Sequence, residues 1–309
     1  ALASCSVTEN IGSELDETDF RISYAPLIEE NAEDNLSLTL FMPSESIEIN
    51  LNDAPLDFVS ISYWDKTVVN FNLNAIPFDE LFSLEILLYN EDGIRTDRLI
   101  MSDVCFVTDG VVPNGAKTLV MVNYKREIFP EFESDDLTSL YIIDLPAFKR
   151  TADTVVDVKD FNNITSLEVI YFDTDIVEGD LKYTRALENL RSITIINCPK
   201  LAADFDVIDD FTVLEALELE NTKTQGSLKD LAEMLTLKVL KLKDNKSIDG
   251  EIQFLKKISS LEGLYLEGGK FEGELLELGE IKRLEYLTLV NVKTISGNIS
   301  TITALEKLE

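Results

Sequence analysis

The sequence predicts a mixed α/β chain in which an antiparallel β-sandwich-like domain precedes a solenoid of stacked repeats. Two observations carry this prediction: a leucine pattern recurs every 23 or 24 residues in the second half, and apolar and polar residues alternate in the first half. The composition agrees, because 45% hydrophobic and 28% charged residues in a chain of 309 are typical of a globular protein. We assign residues 1–22 to an acidic tether, 23–130 to the β domain and 131–309 to the solenoid.

The tether begins with a short motif that ends in a cysteine. Residues 2–5, Leu-Ala-Ser-Cys, resemble the lipobox of bacterial lipoproteins, in which a signal peptide is cut before a cysteine that carries the lipid. Residues 6–19 are polar and acidic, as expected of a solvated linker. The resemblance implies lipidation at Cys5 and a place outside the cytoplasm, at the outer membrane or cell surface of a bacterium. A chance Leu-x-x-Cys is the alternative.

The β domain is predicted from alternating apolar and polar residues, a pattern typical of strands with one buried face. Clusters of Asn, Asp, Pro and Gly separate the alternating runs, so neighbouring runs are expected to pair as the antiparallel strands of a sandwich. The junction with the solenoid is expected at residues 127–137. The candidate strands are Leu36–Phe41, Ile47–Leu51, Phe58–Tyr63, Thr67–Leu73, Leu84–Leu88, Leu99–Phe106 and Thr118–Tyr124.

The repeats share the pattern L-x-x-L-x-L. Six copies start at Leu167, Leu190, Leu214, Leu237, Leu261 and Leu284. A degenerate earlier copy is predicted at Leu140–Leu145. One repeat cannot bury its leucines alone, whereas stacked copies bury a continuous ladder. The next start in the series is Leu308, and we expect a further, capping repeat to follow Glu309.

A second element of the repeat is a glycine twelve or thirteen residues after the start, followed two positions later by an aliphatic residue. Five copies carry it, at Gly179, Gly226, Gly250, Gly273 and Gly297. Together the leucine pattern and this glycine resemble the plant-type subclass of the leucine-rich-repeat family. The family prefers Asn or Cys eight residues after the start, where the side chain bonds buried backbone. Only Cys198 and Asn245 match that preference here.

The resemblance implies both a fold and a function. The expected fold has short parallel strands on a concave face. Its convex side is expected to carry helical or 3₁₀ returns, because aliphatic residues recur there at every third position. The implied function is the binding of a protein or peptide on the concave face.

The residues between the leucines are the candidate binding residues, because side chains alternate along a strand and these point to solvent. Glu218 and Glu220 are expected to face Lys241 and Lys243 on the next repeat. Two interpretations stay open: a charge ladder that only stabilises the sheet, and a charged and aromatic recognition surface. The candidate ligand-binding residues are Tyr171, Asp173, Glu218, Glu220, Lys241, Lys243, Tyr265, Glu267 and Tyr286.

The composition also argues against several classes of function. The chain contains no histidine, which excludes Ser-His-Asp triads and His-ligated metal sites. Its 27 basic and 58 acidic residues give a net charge of −31, which disfavours nucleic acid as a partner. Cys105 and Cys198 are expected to be buried free thiols. Residues 110–118 lack a P-loop, because Ala116 separates the second glycine from Lys117. We expect no metal, no cofactor and no enzymatic activity.

The sequence therefore predicts a surface lipoprotein that binds a protein or peptide on the concave face of its repeats. Contact with a membrane is expected only through the lipid at Cys5, because no run of about 18 apolar residues is present. Two alternatives stay open. One is a structural spacer or adhesin stalk, and the other is a glycan-binding accessory protein of a polysaccharide-uptake system that uses the concave tyrosines.

Overall fold

The structure is a computed structural model. It describes the backbone of strands within residues 19–102. With side chains it describes residues 103–107, 115–122, 124, 136–144, 155–303, 305 and 308. Cys5 and the tether up to residue 18 lie outside the described residues, so lipidation stays a prediction, whereas the last four residues of the predicted tether belong to a strand that begins at Asp19.

The chain divides into two compact units, one of residues 1–54 and 81–102 and the other of residues 55–80 and 103–309. In the first unit β1 pairs antiparallel with β2, and β2 antiparallel with β3. In the second unit β4 and β5 form an antiparallel pair. The strands up to residue 107 are β1 (Asp19–Pro26), β2 (Leu36–Phe41), β3 (Ser46–Asn50), β4 (Phe58–Tyr63), β5 (Thr67–Asn72), β6 (Leu81–Tyr89) and β7 (Arg95–Val107).

Apart from β1, where no strand is predicted, these strands lie where the alternation predicts strands, but one pairing differs from a purely antiparallel arrangement. β1 and β6 run parallel, with Ile22 opposite Ile86. Alternation shows which residues share a face of a strand, but it carries no information about the direction of the neighbouring strand. The sandwich itself therefore stays a prediction.

The repeats build one parallel sheet in the order β7-β8-β9-β11-β13-β15-β17-β19-β21. The remaining short strands form two parallel side sheets, β10-β12-β14 and β16-β18-β20-β22. The strands are β8 (Thr118–Val122), β9 (Ser139–Ile143), β10 (Val156–Asp157), β11 (Val169–Asp173), β12 (Val177–Asp180), β13 (Ser192–Ile196), β14 (Lys200–Ala202), β15 (Ala216–Glu220), β16 (Gly226–Ser227), β17 (Val239–Lys243), β18 (Ile248–Glu251), β19 (Gly263–Glu267), β20 (Lys270–Glu274), β21 (Tyr286–Val290) and β22 (Ile295–Ser296).

Short helical returns follow the side-sheet strands, as the three-residue spacing of aliphatic residues predicts. Polar caps start several of them: Asp157 accepts a bond from the backbone N–H of Lys159, and Asp180 accepts one from that of Lys182. The returns are 3₁₀ turns at Val158–Phe161, Leu181–Thr184, Ile252–Lys257 and Ile299–Ile302, and helices α1 (Phe205–Ile208) and α2 (Leu275–Leu278).

The leucine ladder forms the core between the sheet and the returns. Leu217, Leu240 and Leu264 stand opposite one another on successive strands, and Leu240 and Leu264 are 0% and 2% exposed. The predicted register of the six copies is thereby confirmed. At position 226 the repeat requires glycine for a steric reason. Its φ is +151°, and a Cβ there would lie 2.5 Å from the side chain of Phe205.

The degenerate earlier copy has a different register from the predicted one. Leu140 stands opposite Ile170, the second leucine position of its repeat, so the copy starts at Leu137 and not at Leu140. The ladder also continues before residue 131, because Leu119 pairs with Leu140 in parallel. The strand predicted at Thr118–Tyr124 therefore belongs to the repeat sheet and not to an antiparallel sandwich. The string around Leu119 begins with Ala116 in place of leucine, and this small residue conceals the repeat in the sequence.

The residue eight positions after the start contacts a buried backbone carbonyl in the two copies that carry the Asn or Cys preferred by the family. The Nδ2 amide of Asn245 donates to the carbonyl of Leu219 at 2.7 Å, and the Cys198 thiol reaches the carbonyl of Phe172 at 3.7 Å. Cys198 is a buried free thiol, as predicted, and burial raises its pKa to about 12. In the copy at Leu167 the buried residue is Thr174, one position earlier, while Asp175 is exposed.

Candidate functional site

The side chains of β11–β21 that point away from the leucine ladder form a surface that we call the open face. Backbone pairing places them in two columns, as the repeat spacing predicts. The first column is Tyr171, Thr194, Glu218, Lys241, Tyr265 and Thr288, and the second is Asp173, Ile196, Glu220, Lys243, Glu267 and Val290.

The centre of the open face is a set of ion pairs between β15 and β17. Lys241 pairs with Glu218, and Lys243 Nζ lies 2.7 Å from Glu220 Oε1. Lys241 Nζ is also 3.9 Å from Glu220 Oε2, so the pairs form one network. These side chains are 22–31% exposed. The prediction that the glutamates of one repeat face the lysines of the next is confirmed. Each such pair contributes about 0.2–1 kcal/mol to the sheet.

A third row of charges, one position after each starting leucine, was missed in the sequence. Glu215 bridges two repeats, with Oε1 at 2.6 Å from Arg191 and Oε2 at 2.5 Å from Lys238. Burial alone raises the pKa of Glu215, but the bonds to Lys238 and Arg191 outweigh it and hold the pKa below its usual value. The same repeat register identifies this row, because acids and bases alternate there on the five successive copies from Glu168 to Glu262.

On β19 a tyrosine and a carboxylate act together. The hydroxyl of Tyr265 donates to Glu267 Oε2 at 2.5 Å, and this bond, followed by burial, raises the pKa of Tyr265. Lys241 Nζ lies 5.8 Å from the centroid of the Tyr265 ring, within the range of a cation–π contact. One face of this ring therefore already accepts a cation.

On β11 a second tyrosine stands beside a second carboxylate. The ring of Tyr171 stacks on Tyr141, with centroids 5.6 Å apart, and Asp173 accepts a bond from the Asn197 amide at 3.1 Å. Asn197 in turn accepts a bond from the Asn221 amide at 2.9 Å. Burial, together with the nearby carboxylates, raises the pKa of Asp173. Tyr141 was missed in the sequence because the degenerate copy was read in the wrong register.

From β11 onward the outward side chains of the open face are more accessible, apart from Thr194 on β13, which is 8% exposed. At the same outward position Val120 and Tyr141 of β8 and β9 are 0% and 3% exposed, whereas Tyr171, Glu218 and Lys241 are only half-buried. Tyr286, on β21, is 51% exposed and stands opposite Gly263, in a different row from Tyr171 and Tyr265. The structure thus brings the central charges together and leaves Tyr286 separate from them.

Two further kinds of feature are absent from the described residues. They contain no group of three or more His, Cys, Asp or Glu side chains that is arranged to hold a metal ion. Among the helices described between residues 155 and 303, none has the length and apolar character required to span a membrane.

Comparison with known proteins identifies the fold. No protein-family model and no curated protein sequence matches this chain. The leucine-rich-repeat ectodomain of the Arabidopsis thaliana receptor kinase GASSHO1/SCHENGEN3, solved with CASPARIAN STRIP INTEGRITY FACTOR 2, matches 66% of the chain at 18% identity and a TM-score of 0.50. The chain spans a quarter of that ectodomain, 25%. The chain therefore has the fold of a leucine-rich-repeat solenoid.

Two further solved structures resemble the chain more distantly. The plant peptide hormone receptor RGFR1 in complex with RGF2 matches 72% of this chain and 47% of its own, at 15% identity and a TM-score of 0.43. The Leptospira interrogans leucine-rich-repeat protein LIC12759 matches 64% of this chain and 68% of its own, at 17% identity and a TM-score of 0.35.

Proposed function

We propose that the chain binds a protein or peptide through the open face and has no catalytic role. The observation that carries the proposal is the contrast between the two sides of the strands. The ladder positions repeat the same leucines, while the outward positions change from copy to copy and include half-exposed tyrosines and charges. Aromatic anchors surrounded by polar groups are typical of recognition surfaces. The receptor ectodomain with the same fold was itself solved in complex with CASPARIAN STRIP INTEGRITY FACTOR 2.

The aromatic anchors of the proposed site are Tyr265 and Tyr286, with Tyr171 at its other side. Tyr286 is the most accessible of them, and truncating a tyrosine at the centre of an interface costs at least about 2 kcal/mol of binding. The same truncation has little effect on folding at an exposed position. Binding and stability are therefore expected to separate most clearly at Tyr286, which is the exposed one.

The test is a selection of peptides from a phage-displayed random library on the intact protein. Selected clones are then measured against the double variant Tyr265→Ala/Tyr286→Ala. Tyr183→Ala is the matched control, because Tyr183 is 54% exposed in the return Leu181–Thr184 and lies off the open face. We expect the double variant to weaken most clones at least about 30-fold, in line with a loss of 2 kcal/mol, and the control to leave them unchanged.

Two outcomes would contradict the proposal. If the clones bind the double variant as tightly as the wild type, recognition takes place elsewhere on the chain. If the library yields no binder but a glycan array does, the glycan-binding alternative replaces protein recognition.

The central lysines are expected to affect the rate of association. In Lys241→Glu/Lys243→Glu the network on β15 and β17 becomes wholly acidic. Selected peptides of negative charge should then associate more slowly and those of positive charge faster. Both changes should shrink at high salt, because salt screens the long-range attraction that steers a charged ligand toward the face. Equal association rates for wild type and variant would show that the ligand does not approach this part of the face.

We propose that the protein acts outside the cytoplasm and carries a lipid on Cys5. A fatty-acid probe fed to cells that express the precursor should label wild type and Ser4→Ala, which keeps a small residue before the cysteine, but not Cys5→Ala. Stable anchoring takes more than one acyl chain, since each buried CH₂ contributes about 0.8 kcal/mol. Equal labelling of Cys5→Ala and wild type would refute the anchor.

A further inference from the structure

The charges of the open face are unevenly neutralised. In the two columns, the basic side chains among the described residues are Lys241 and Lys243, and both are paired with glutamates of β15. The central strands are therefore balanced internally. They offer a charged ligand no unmatched group of either sign.

Two carboxylates on either side of this balanced centre have no ion pair with any base in the described part of the chain. They are Asp173 on β11 and Glu267 on β19, both half-buried. Each stands next to a tyrosine two positions earlier on the same strand, Tyr171 and Tyr265 respectively. The face thus carries the same tyrosine–carboxylate unit twice, in the same two columns.

Such a unit suits a cationic side chain. A carboxylate accepts charge-assisted hydrogen bonds from a guanidinium or ammonium group, and a tyrosine ring attracts a cation to its face. Tyr265 already has Lys241 Nζ 5.8 Å from its ring centroid. Glu267 accepts one bond from Tyr265, which leaves further lone pairs of its two oxygens for a ligand.

The separation of the two units follows from the strand order. β11 and β19 are four strand spacings apart in the sheet, so the units lie about 19 Å from each other. An extended segment advances about 3.3 Å per residue, so this distance matches two residues with five others between them.

We propose that the open face recognises a partner with two basic side chains about 19 Å apart, as in an extended segment that crosses the strands with an Arg-x₅-Arg spacing. This inference rests on the proposed function and specifies its ligand. The Tyr171–Asp173 unit takes one basic group and the Tyr265–Glu267 unit takes the other. The balanced centre between them accommodates the uncharged residues of the segment.

The experiment compares two capped peptides of identical composition and charge at 150 mM salt. The first, Arg-Ser-Ala-Ser-Ala-Ser-Arg, has the matching spacing, and the second, Ser-Ala-Arg-Ser-Arg-Ala-Ser, has the same two arginines close together. Because the protein carries a net charge of −31, both peptides experience the same non-specific attraction. We expect the first to bind about tenfold more tightly, since only it engages both units at once.

The variant Asp173→Asn/Glu267→Gln removes both charges with little change in shape. It should abolish the difference between the two peptides. The control variant Glu188→Gln/Glu272→Gln removes the same net charge at two exposed positions off the open face and should preserve the difference. Thermal unfolding of both variants establishes that they are folded.

Equal affinity of the wild type for the two peptides, or a difference that survives in Asp173→Asn/Glu267→Gln, would overturn the inference. Its failure is distinguishable from that of the proposed function. If library peptides lose binding to Tyr265→Ala/Tyr286→Ala but lack spaced basic residues, the face binds ligands and only the ligand class is wrong. If they bind that variant unchanged, the binding face itself is wrong.

Discussion

The two sides of a single strand, β17, differ in burial and in charge. Leu240 and Leu242 point into the core and have no exposed surface, whereas Lys241 and Lys243 between and after them are 31% exposed and pair with glutamates of β15. The inner residues are nearly the same in every repeat, and the outer ones differ. The comparison teaches that the fold and the recognition surface are carried by alternate positions of the same short strands, so mutations should separate them.

The largest effect is expected in the ladder. Leu240→Ala should lower the free energy of unfolding by roughly 2–5 kcal/mol, because it removes buried methyl groups between two well-packed neighbours. Denaturant titration measures this loss. A loss below about 1 kcal/mol would mean that the inner side of the strand does not carry the stability, and the comparison would fail.

The next effect concerns Asn245, a polar residue buried in the core. Asn245→Ala should cost about 1–3 kcal/mol, because the carbonyl of Leu219 and the N–H of Thr222 lose their partner. Asn245→Cys should cost less, since Cys198 contacts the equivalent carbonyl in its own repeat. If both substitutions have the same effect in thermal unfolding, the hydrogen bond is not the reason for the polar residue.

A third prediction sharpens the comparison within the ladder itself. Leu289 occupies the same position on β21 as Leu242 on β17, but it is only half-buried, whereas Leu242 has no exposed surface. In this chain of 309 residues Leu289→Ala should therefore cost about 1–2 kcal/mol, less than Leu242→Ala, since the cost follows the buried area. Equal costs in denaturant titration would show that burial does not set the cost along the ladder.

The smallest effect is expected from the outer charges. The pKa of Glu215 is lowered in the folded chain, so its contribution to stability is complete above its ordinary pKa of 4.5 and disappears as the pH falls through the lowered value. Glu215→Gln should lose less stability than wild type when the pH is lowered from 7 to 3. The difference should stay below about 1 kcal/mol, as is usual for surface ion pairs. Identical pH profiles of stability would show that the bridge contributes nothing.

Much of this architecture could be predicted from the repeat alone. Six copies at a constant spacing fix the register, and alternation along a strand then fixes which residues share a column, so Glu218, Lys241 and Tyr265 lie as expected. The stack of Tyr141 on Tyr171 could not be predicted, because the copy at Leu137 lies 30 residues before Leu167 and breaks the spacing. The relative direction of the strands before residue 103 could not be predicted either, since alternation is the same for parallel and antiparallel neighbours.

The direct test of the central claim is to locate the ligand on the molecule. A photo-crosslinking residue, benzoylphenylalanine, is placed at Thr288 on the open face or at Tyr183 in a return, both of which are exposed. Peptides selected on the wild type should crosslink from position 288 and not from position 183. Crosslinking from position 183, with none from position 288, would contradict the account and move recognition to the other side of the repeats.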